Sequence, residues 1–453
     1  MNNPISRRQF VATTAAAGLV QIVPRHILGG AHHTAASERL NIAGIGVGGK
    51  GVSDLSNCKE ENIVALCDVD PNYAANTFAK YPNAKVYTDY RVMLEKQKDI
   101  DAVAIATPDH THAVIAMAAM QAGKHVFLQK PLTHSLLEAK TLLEESRRHK
   151  VQTQMGNQGH SSEHIRLLKE WLEDGIIGPV EQVYAWTDRP VGGNPWSDFA
   201  VKSKSIRQPA MPHNLNWDLW LGPAQSRAYH PDYHPKKWRA WLDFGTGALG
   251  DMGCHIIDPA VWALDLGFPE TIEATSTHWE PDVASQTYPR ASLVEYKFPA
   301  RGDKPPVTLN WSDGRLLPRR PDLLPDAVEL PNSGALLIGR DGVILHGSHG
   351  ASGLRVFPES KFQNYLRPEK SIPRVKGGQQ GHHQDWIRAC KDGKASASNF
   401  EYGAALTQIV LLGVLAIRAK NRKLHWDTNN FAFKNDDEAN ALIHSPYRDG
   451  WVL

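Results

Sequence analysis

The first strong pattern along the chain is a short apolar run, Leu40 to Ile45, then a glycine cluster, a mixed polar and apolar segment to about Glu61, and a second apolar run from Asn62 to Leu66 ending at Asp68. Short apolar runs bounded by turn residues predict buried strands, and the amphipathic segment between them predicts a helix. The alternation continues: Lys85 to Tyr87 and Asp101 to Ala106 read as strands, Ala113 to Ala122 as an Ala- and Met-rich helix, and His125 to Leu128 as a strand. Helix Leu136 to His149 and strand Val151 to Met155 complete the series. Such alternation predicts a parallel sheet with helices on both faces.

Beyond Asn157 the texture changes. Helix Glu163 to Asp174 and a break at Gly178-Pro179 lead into strand-like runs at Val180 to Thr187, Thr271 to Thr277, Ala291 to Phe298, Val307 to Trp311 and Ala335 to His346. Long loops rich in Pro and Trp separate them, which predicts one large, mainly antiparallel sheet. Gly403 to Ala419 reads as a long apolar-faced helix, and Asp436 to Leu453 as a polar tail docked by Trp451. The expected fold class is α/β: an N-terminal Rossmann parallel sheet followed by an α+β domain with a large, mainly antiparallel sheet. The boundaries read as 1–37 for a leader and linker, 38–157 for the first domain and 158–453 for the second.

Charge and cysteines narrow the class. Lys plus Arg number 50 against 48 Asp plus Glu, with no run of five like charges, so neither a nucleic-acid arm nor a membrane-surface patch is indicated. Four cysteines without a CxxC spacing argue against a disulfide framework and against a zinc site. At the N-terminus, Ser6-Arg7-Arg8-Gln9-Phe10-Val11 precedes an Ala- and Gly-rich stretch, Phe10 to Val23, too short to cross a bilayer. This is the pattern of a twin-arginine export signal, and it predicts a periplasmic or otherwise exported protein handed to the twin-arginine machinery after folding. No later run reads as long and apolar enough to span a membrane in the mature form.

Two overlapping GxGxxG matches occur, and starting at Gly46 leaves a full strand ahead of the turn. Gly46 would then make the tight turn, Gly48 admit a pyrophosphate, Gly51 permit helix–strand contact, with Val47 and Gly49 beside the phosphates. Asp68, 22 residues after Gly46, stands where a carboxylate accepts both ribose hydroxyls and repels a 2′-phosphate, so NAD is expected rather than NADP.

Further motifs carry a family resemblance. Thr107-Pro108-Asp109-His110-Thr111-His112, Gln129-Lys130-Pro131, Trp238-Arg239 and Gly250-Asp251-Met252-Gly253-Cys254-His255-Ile256-Ile257-Asp258 together resemble the Gfo/Idh/MocA oxidoreductases. The resemblance implies that Lys130 meets the nicotinamide ribose and the substrate hydroxyl, and that Asp251 and His255 form the acid/base pair. It also implies cofactor contacts from Thr107, Pro108, His112, Gln129, Asn157, Trp238 and Arg239. Gln129 departs from the family's usual Glu before the lysine; an amide still hydrogen-bonds a ribose hydroxyl but cannot pair ionically with Lys130.

Oxidising a carbinol requires a base for the hydroxyl proton as hydride leaves, a role that suits His255, with Lys130 stabilising the developing alkoxide. On a common helix face, Asp251 would orient the His255 ring or bind a neighbouring hydroxyl. Trp186, Arg189, Tyr233 and His234, within an aromatic stretch that also holds Trp196, are candidates for a carbohydrate or polyol cleft, since aromatic faces stack on sugar C–H surfaces. Gly381-His382-His383 with Asp385 reads as a polar wall of that cleft and not as a metal site, because adjacent histidines do not share a helix face. A homodimer or homotetramer is expected. Three modes of action stay open: oxidation with an internally recycled cofactor, glycoside cleavage through transient oxidation, and sugar binding with NAD as a structural element.

Overall fold

The computed structural model describes residues 38–190, 210–277 and 286–453. The export signal and Trp196 lie outside the described residues. The nucleotide domain runs β1 (Asn41–Ile45), α1 (Lys50–Asn57), β2 (Asn62–Cys67), α2 (Pro71–Lys80), β3 (Lys85–Tyr87), α3 (Tyr90–Lys96), β4 (Ala102–Ile105), α4 (His112–Gln121), β5 (His125–Leu128), α5 (Leu136–His149) and β6 (Thr153–Met155). Its six strands are parallel in the order β3-β2-β1-β4-β5-β6, so strand order reverses between β1 and β4. Local chemistry sets the helix starts. Asp70 caps α2 by accepting from the amides of Asn72 and Tyr73, and Ser135 with Glu138 forms a reciprocal capping box on α5. Gly46 takes a φ of +77°, and a Cβ on Gly51 would stand 2.2 Å from the Gly46 carbonyl oxygen, so the turn into α1 requires glycine at both places.

The second domain continues with α6 (Glu163–Glu173), β7 (Val180–Trp186), α7 (Trp217–Leu221), α8 (Gly247–Ile256), α9 (Asp258–Ala263), β8 (Thr271–Ser276), β9 (Ser292–Phe298) and β10 (Val307–Ser312). It closes with β11 (Gly334–Gly339), β12 (Val343–Gly347), β13 (Arg355–Phe357), α10 (Glu359–Phe362), α11 (His382–Asp392), α12 (Phe400–Arg418), β14 (Leu424–Asp427), β15 (Ala432–Phe433) and α13 (Asp437–Ala441). Nine strands form its sheet in the order β13-β12-β11-β7-β10-β9-β8-β14-β15, antiparallel except for the β7–β10 pair. The apolar run expected as one strand over Ala335 to His346 is a hairpin: Arg340-Asp341-Gly342 turns the chain and sets Leu336 opposite Leu345. Asp251 and His255 share α8, which ends ahead of Ile257, and α9 follows with Pro259 in its first turn.

Helix α12 belongs to the core. It is long and apolar enough by length and composition to cross a membrane, yet it is buried in the core against α5, α8 and the large sheet, and it is capped by Asn399, whose side chain accepts from the amides of Glu401 and Tyr402. The C-terminal tail is tied down by more than Trp451. The Tyr447 hydroxyl donates to Glu138 Oε1 at 2.6 Å, and Arg448 bonds the Gly222 carbonyl and Asp218. Glu138 is buried and belongs to the α5 cap, so Tyr447→Phe strips a donor from a buried carboxyl. The expected result is a loss of about 1–3 kcal/mol, read as a lower urea midpoint at unchanged slope, whereas an unmoved midpoint would refute this role for the tail.

Candidate active site

The carboxyl ends of β1, β2, β4 and β5, at the point where strand order reverses, open into a cleft of about 830 Å³ closed on its other side by the second domain. Gly46, Gly48, Gly49 and Lys50 form one end of the floor. Asp68 folds back onto this turn: its Oδ2 accepts from the amides of Val47 and Gly48 at 2.8 and 3.0 Å, and its Oδ1 from Asp70. Burial holds its pKa above the ordinary carboxylate value despite these bonds. A Cβ on Gly48 would meet the Tyr73 ring at 2.3 Å, so the absent side chain there makes room for an aromatic ring as well as for a ligand. Val47 and Gly51 support this end from behind, through backbone and packing only.

The opposite wall comes from the segment around Trp238 and from α8. His234 Nε2 meets Asp70 Oδ2 at 2.8 Å, Arg239 lies over the Trp238 ring at 4.2 Å, and Arg239 Nε donates to Asp251 at 3.3 Å. One short segment thereby bridges the end of β2 to the carboxylate on α8. Thr107, Pro108 and Asp109 line the middle of the cleft, and His112 braces it, its two ring nitrogens 2.9 Å from the carbonyls of Thr107 and Pro131.

Lys130, at the end of β5, reaches across to α8. Its Nζ donates to Asp251 Oδ1 at 2.8 Å and to the Asp251 carbonyl at 2.6 Å, while Arg189 donates to Oδ2 at 2.8 Å. Burial opposes ionisation of Asp251, but Lys130, Arg239 and Arg189 together hold its pKa well below the usual carboxylate range. His255 sits one turn further along α8. Burial, then the charge of Lys130 and the neighbouring His349, pushes it well below the ordinary histidine value, so the ring is neutral. The His349 ring lies 4.2 Å away, centroid to centroid, and His255 Nδ1 is buried with no hydrogen-bond partner.

This geometry corrects several expectations. Asp251 does not orient His255, because three cations take up its carboxylate; packing against His349 holds the ring instead. Trp186 ends β7 and is fully buried on one face of the large sheet, its indole donating to the Pro331 carbonyl, and Tyr233 packs among Trp241, Phe244 and Arg227. Neither lines the cleft, whereas Arg189 and His234 do. Asn157 is buried behind it, bonded to Asp258 and Ser398. His383 is buried against Asp54 of α1 and His382 against Met155 and Ser161, and neither lines the cleft. His349 and Asp109 are the residues with chemistry that the sequence reading passed over. His349 follows β12 in a turn with no motif, and Asp109 stood inside a motif without an assigned role.

The chemistry of this set fits a dinucleotide. A glycine turn opens α1, a carboxylate ends β2, and beside Lys130 stands a buried imidazole nitrogen with no partner. Two family models match the chain: the NAD-binding Rossmann fold of an oxidoreductase family over residues 39–157, and that family's C-terminal alpha/beta domain over 162–298 and 360–453. Levoglucosan dehydrogenase of Pseudarthrobacter phenanthrenivorans is 25% identical over 293 residues, 64% of each chain. Inositol 2-dehydrogenase of Salmonella typhimurium is 31% identical over 150 residues, 32% of this chain and 44% of that protein. The matched segment thus spans less than two thirds of either relative. A solved levoglucosan dehydrogenase complex with NADH superposes with a TM-score of 0.56 at 18% identity, covering 85% of this chain and 98% of that one. The chain belongs to the Gfo/Idh/MocA oxidoreductase family, and its first domain is the family's NAD-binding Rossmann fold.

Asp109 supplies a test of the cleft's dryness. Burial pushes its carboxyl up to about 7, although Thr246 donates to it at 2.7 Å and Arg239 and Lys130 pull the other way. A free aspartate titrates near ~3.9. The folded state therefore holds a proton that the unfolded chain releases, and Asp109 costs stability progressively as pH rises from about 4 through 7. The melting temperature relative to Asp109→Asn should fall between about pH 5 and about pH 8. A difference constant with pH would mean that Asp109 is solvated.

Proposed function

We propose that this member of the Gfo/Idh/MocA oxidoreductase family is an exported NAD-dependent dehydrogenase that oxidises a hydroxyl of a sugar, polyol or glycoside and keeps its cofactor bound between turnovers. The observation that carries the reading is the pairing of a neutral, hydrogen-bond-free His255 with a Lys130 ammonium pinned across the nucleotide cleft. NAD, when bound, supplies the hydride acceptor. The remaining steps belong to the protein. Lys130 commits two hydrogen bonds to Asp251, so of the three N–H groups of an ammonium one remains for the substrate oxygen. His255, neutral because it is buried among positive charges, accepts the hydroxyl proton at its ring nitrogen. Asp251 keeps Lys130 in place and offsets its charge, and Arg189 borders the substrate side of the same carboxylate.

The curated relatives support a sugar or polyol substrate, one acting on levoglucosan and the other on inositol by their names. The twin-arginine pattern at Arg7 and Arg8 supports export, and a nucleotide carried out of the cytoplasm has to be reoxidised where it is bound. The test is to add a panel of sugars and polyols to the purified holoprotein and follow reduced-nicotinamide absorbance. Reduction by one sugar and its reversal by a second, carbonyl-bearing one are expected. Lys130→Met and His255→Ala should each slow the reduction by roughly 10²–10⁴-fold. Absence of reduction with every sugar, or full activity in either variant, would sink the assignment.

A further inference from the structure

Asp54, the fifth residue of α1, is a carboxylate that the redox chemistry above leaves unused, and it is 1% exposed. Three side chains close on it. Lys50 forms an ion pair with it from one turn earlier, His383 Nε2 of α11 lies 3.0 Å from its Oδ1, and Gln129 Nε2 donates to its Oδ2 at 2.8 Å. Phe127 stacks on the His383 ring at 4.5 Å, and Gly156 leaves no slack on the far side, since a Cβ there would come within 2.7 Å of the Gln129 amide. Burial alone would raise the Asp54 pKa, but the bond from His383 and the charge of Lys50 outweigh it and hold the carboxyl below its ordinary value. Asp54 is therefore ionised and only accepts hydrogen bonds. A primary amide beside such a group turns its NH₂ toward it and its carbonyl away. Gln129 also lines the dinucleotide cleft, immediately before Lys130.

We propose that Asp54 is a positioning residue for the cofactor: it locks the Gln129 amide so that Oε1 serves as a fixed acceptor for the nicotinamide-ribose hydroxyls, the service a carboxylate would otherwise render at that place. A glutamate at position 129 would set two carboxylates against each other in a buried site, which costs one of them its ionisation. Asp54 and Gln129 thus act as a unit in which the negative charge sits on the helix and the neutral acceptor on the strand end. The inference rests on nucleotide binding by the first domain and is independent of the substrate.

The experiment compares dissociation constants for NAD and for ADP on the full-length protein after exchange of any resident nucleotide. ADP keeps the adenosine and pyrophosphate but lacks the nicotinamide ribose. Asp54→Leu is expected to weaken NAD about ten-fold relative to ADP, equivalent to about 1.4 kcal/mol. The exchanged pair Asp54→Asn with Gln129→Glu should restore the wild-type ratio. A ratio unchanged in Asp54→Leu would show that the cluster merely holds α1 in place and would overturn the proposal. So would an exchanged pair with a ratio no better than that of Asp54→Leu. Should Asp54→Leu not fold, Gln129→Met decides in the same way: selective loss of NAD supports the lock, and parallel loss or none refutes it.

Discussion

The Asp251 carboxylate, held among Lys130, Arg189 and Arg239, is the interaction on which the arrangement of the cleft depends. Its three partners come from three separate places: the end of β5 in the nucleotide domain, the stretch after β7, and the segment that crosses from His234 to Arg239. One residue of α8 therefore ties the two domains together at the reacting centre. Burying a charge is costly unless it is paired, and removing one partner of a buried pair costs about 3–5 kcal/mol. That penalty makes the constellation rigid: each side chain is where its charge is neutralised.

The same electrostatics divides labour between the two groups on α8. Asp251 gathers positive charge and is kept ionised, while His255, one turn away, is kept neutral by burial first and by the charge of Lys130 second. The pKa values of both groups, four residues apart on one helix, are pushed down, which leaves the carboxyl ionised and the imidazole neutral. The helix that carries them is itself clamped. A Cβ on Gly253 would touch Val410 of α12 at 3.0 Å, so the long core helix packs directly against the backbone of α8. Positional accuracy at the site thus draws on the long core helix of the second domain.

Much of this was legible in the order of residues. The alternating apolar runs specified the parallel sheet, because strands buried on both faces and connected through helices have few other arrangements. The glycine turn and Asp68 were legible because a nucleotide imposes a local backbone shape, and local shape is written in adjacent residues. The tryptophan-rich stretch was not. Trp186 and Tyr233 pack in cores while His234 and Arg189 face the cleft, and nothing in composition separates an aromatic that stacks on a ligand from one that stacks on its neighbours. The hairpin within Ala335 to His346 was missed because Arg340-Asp341-Gly342 was read as part of one continuous run.

By itself, then, the sequence determined the nucleotide domain, the position of the turn that opens α1, and the identity of Lys130, Asp251 and His255 as residues of interest. The first two follow from short-range pattern, in which neighbours along the chain are neighbours in space, and the three residues from the resemblance of their motifs to the family. The tertiary structure alone decided what those residues do to one another. That Asp251 serves Lys130 and not His255, that His349 supports the ring, and that Asp54 on α1 and His383 on α11 meet Gln129 are consequences of contacts between residues far apart in the chain. Charge neutralisation in a buried space selects partners by proximity after folding, and that proximity is not encoded in spacing along the chain.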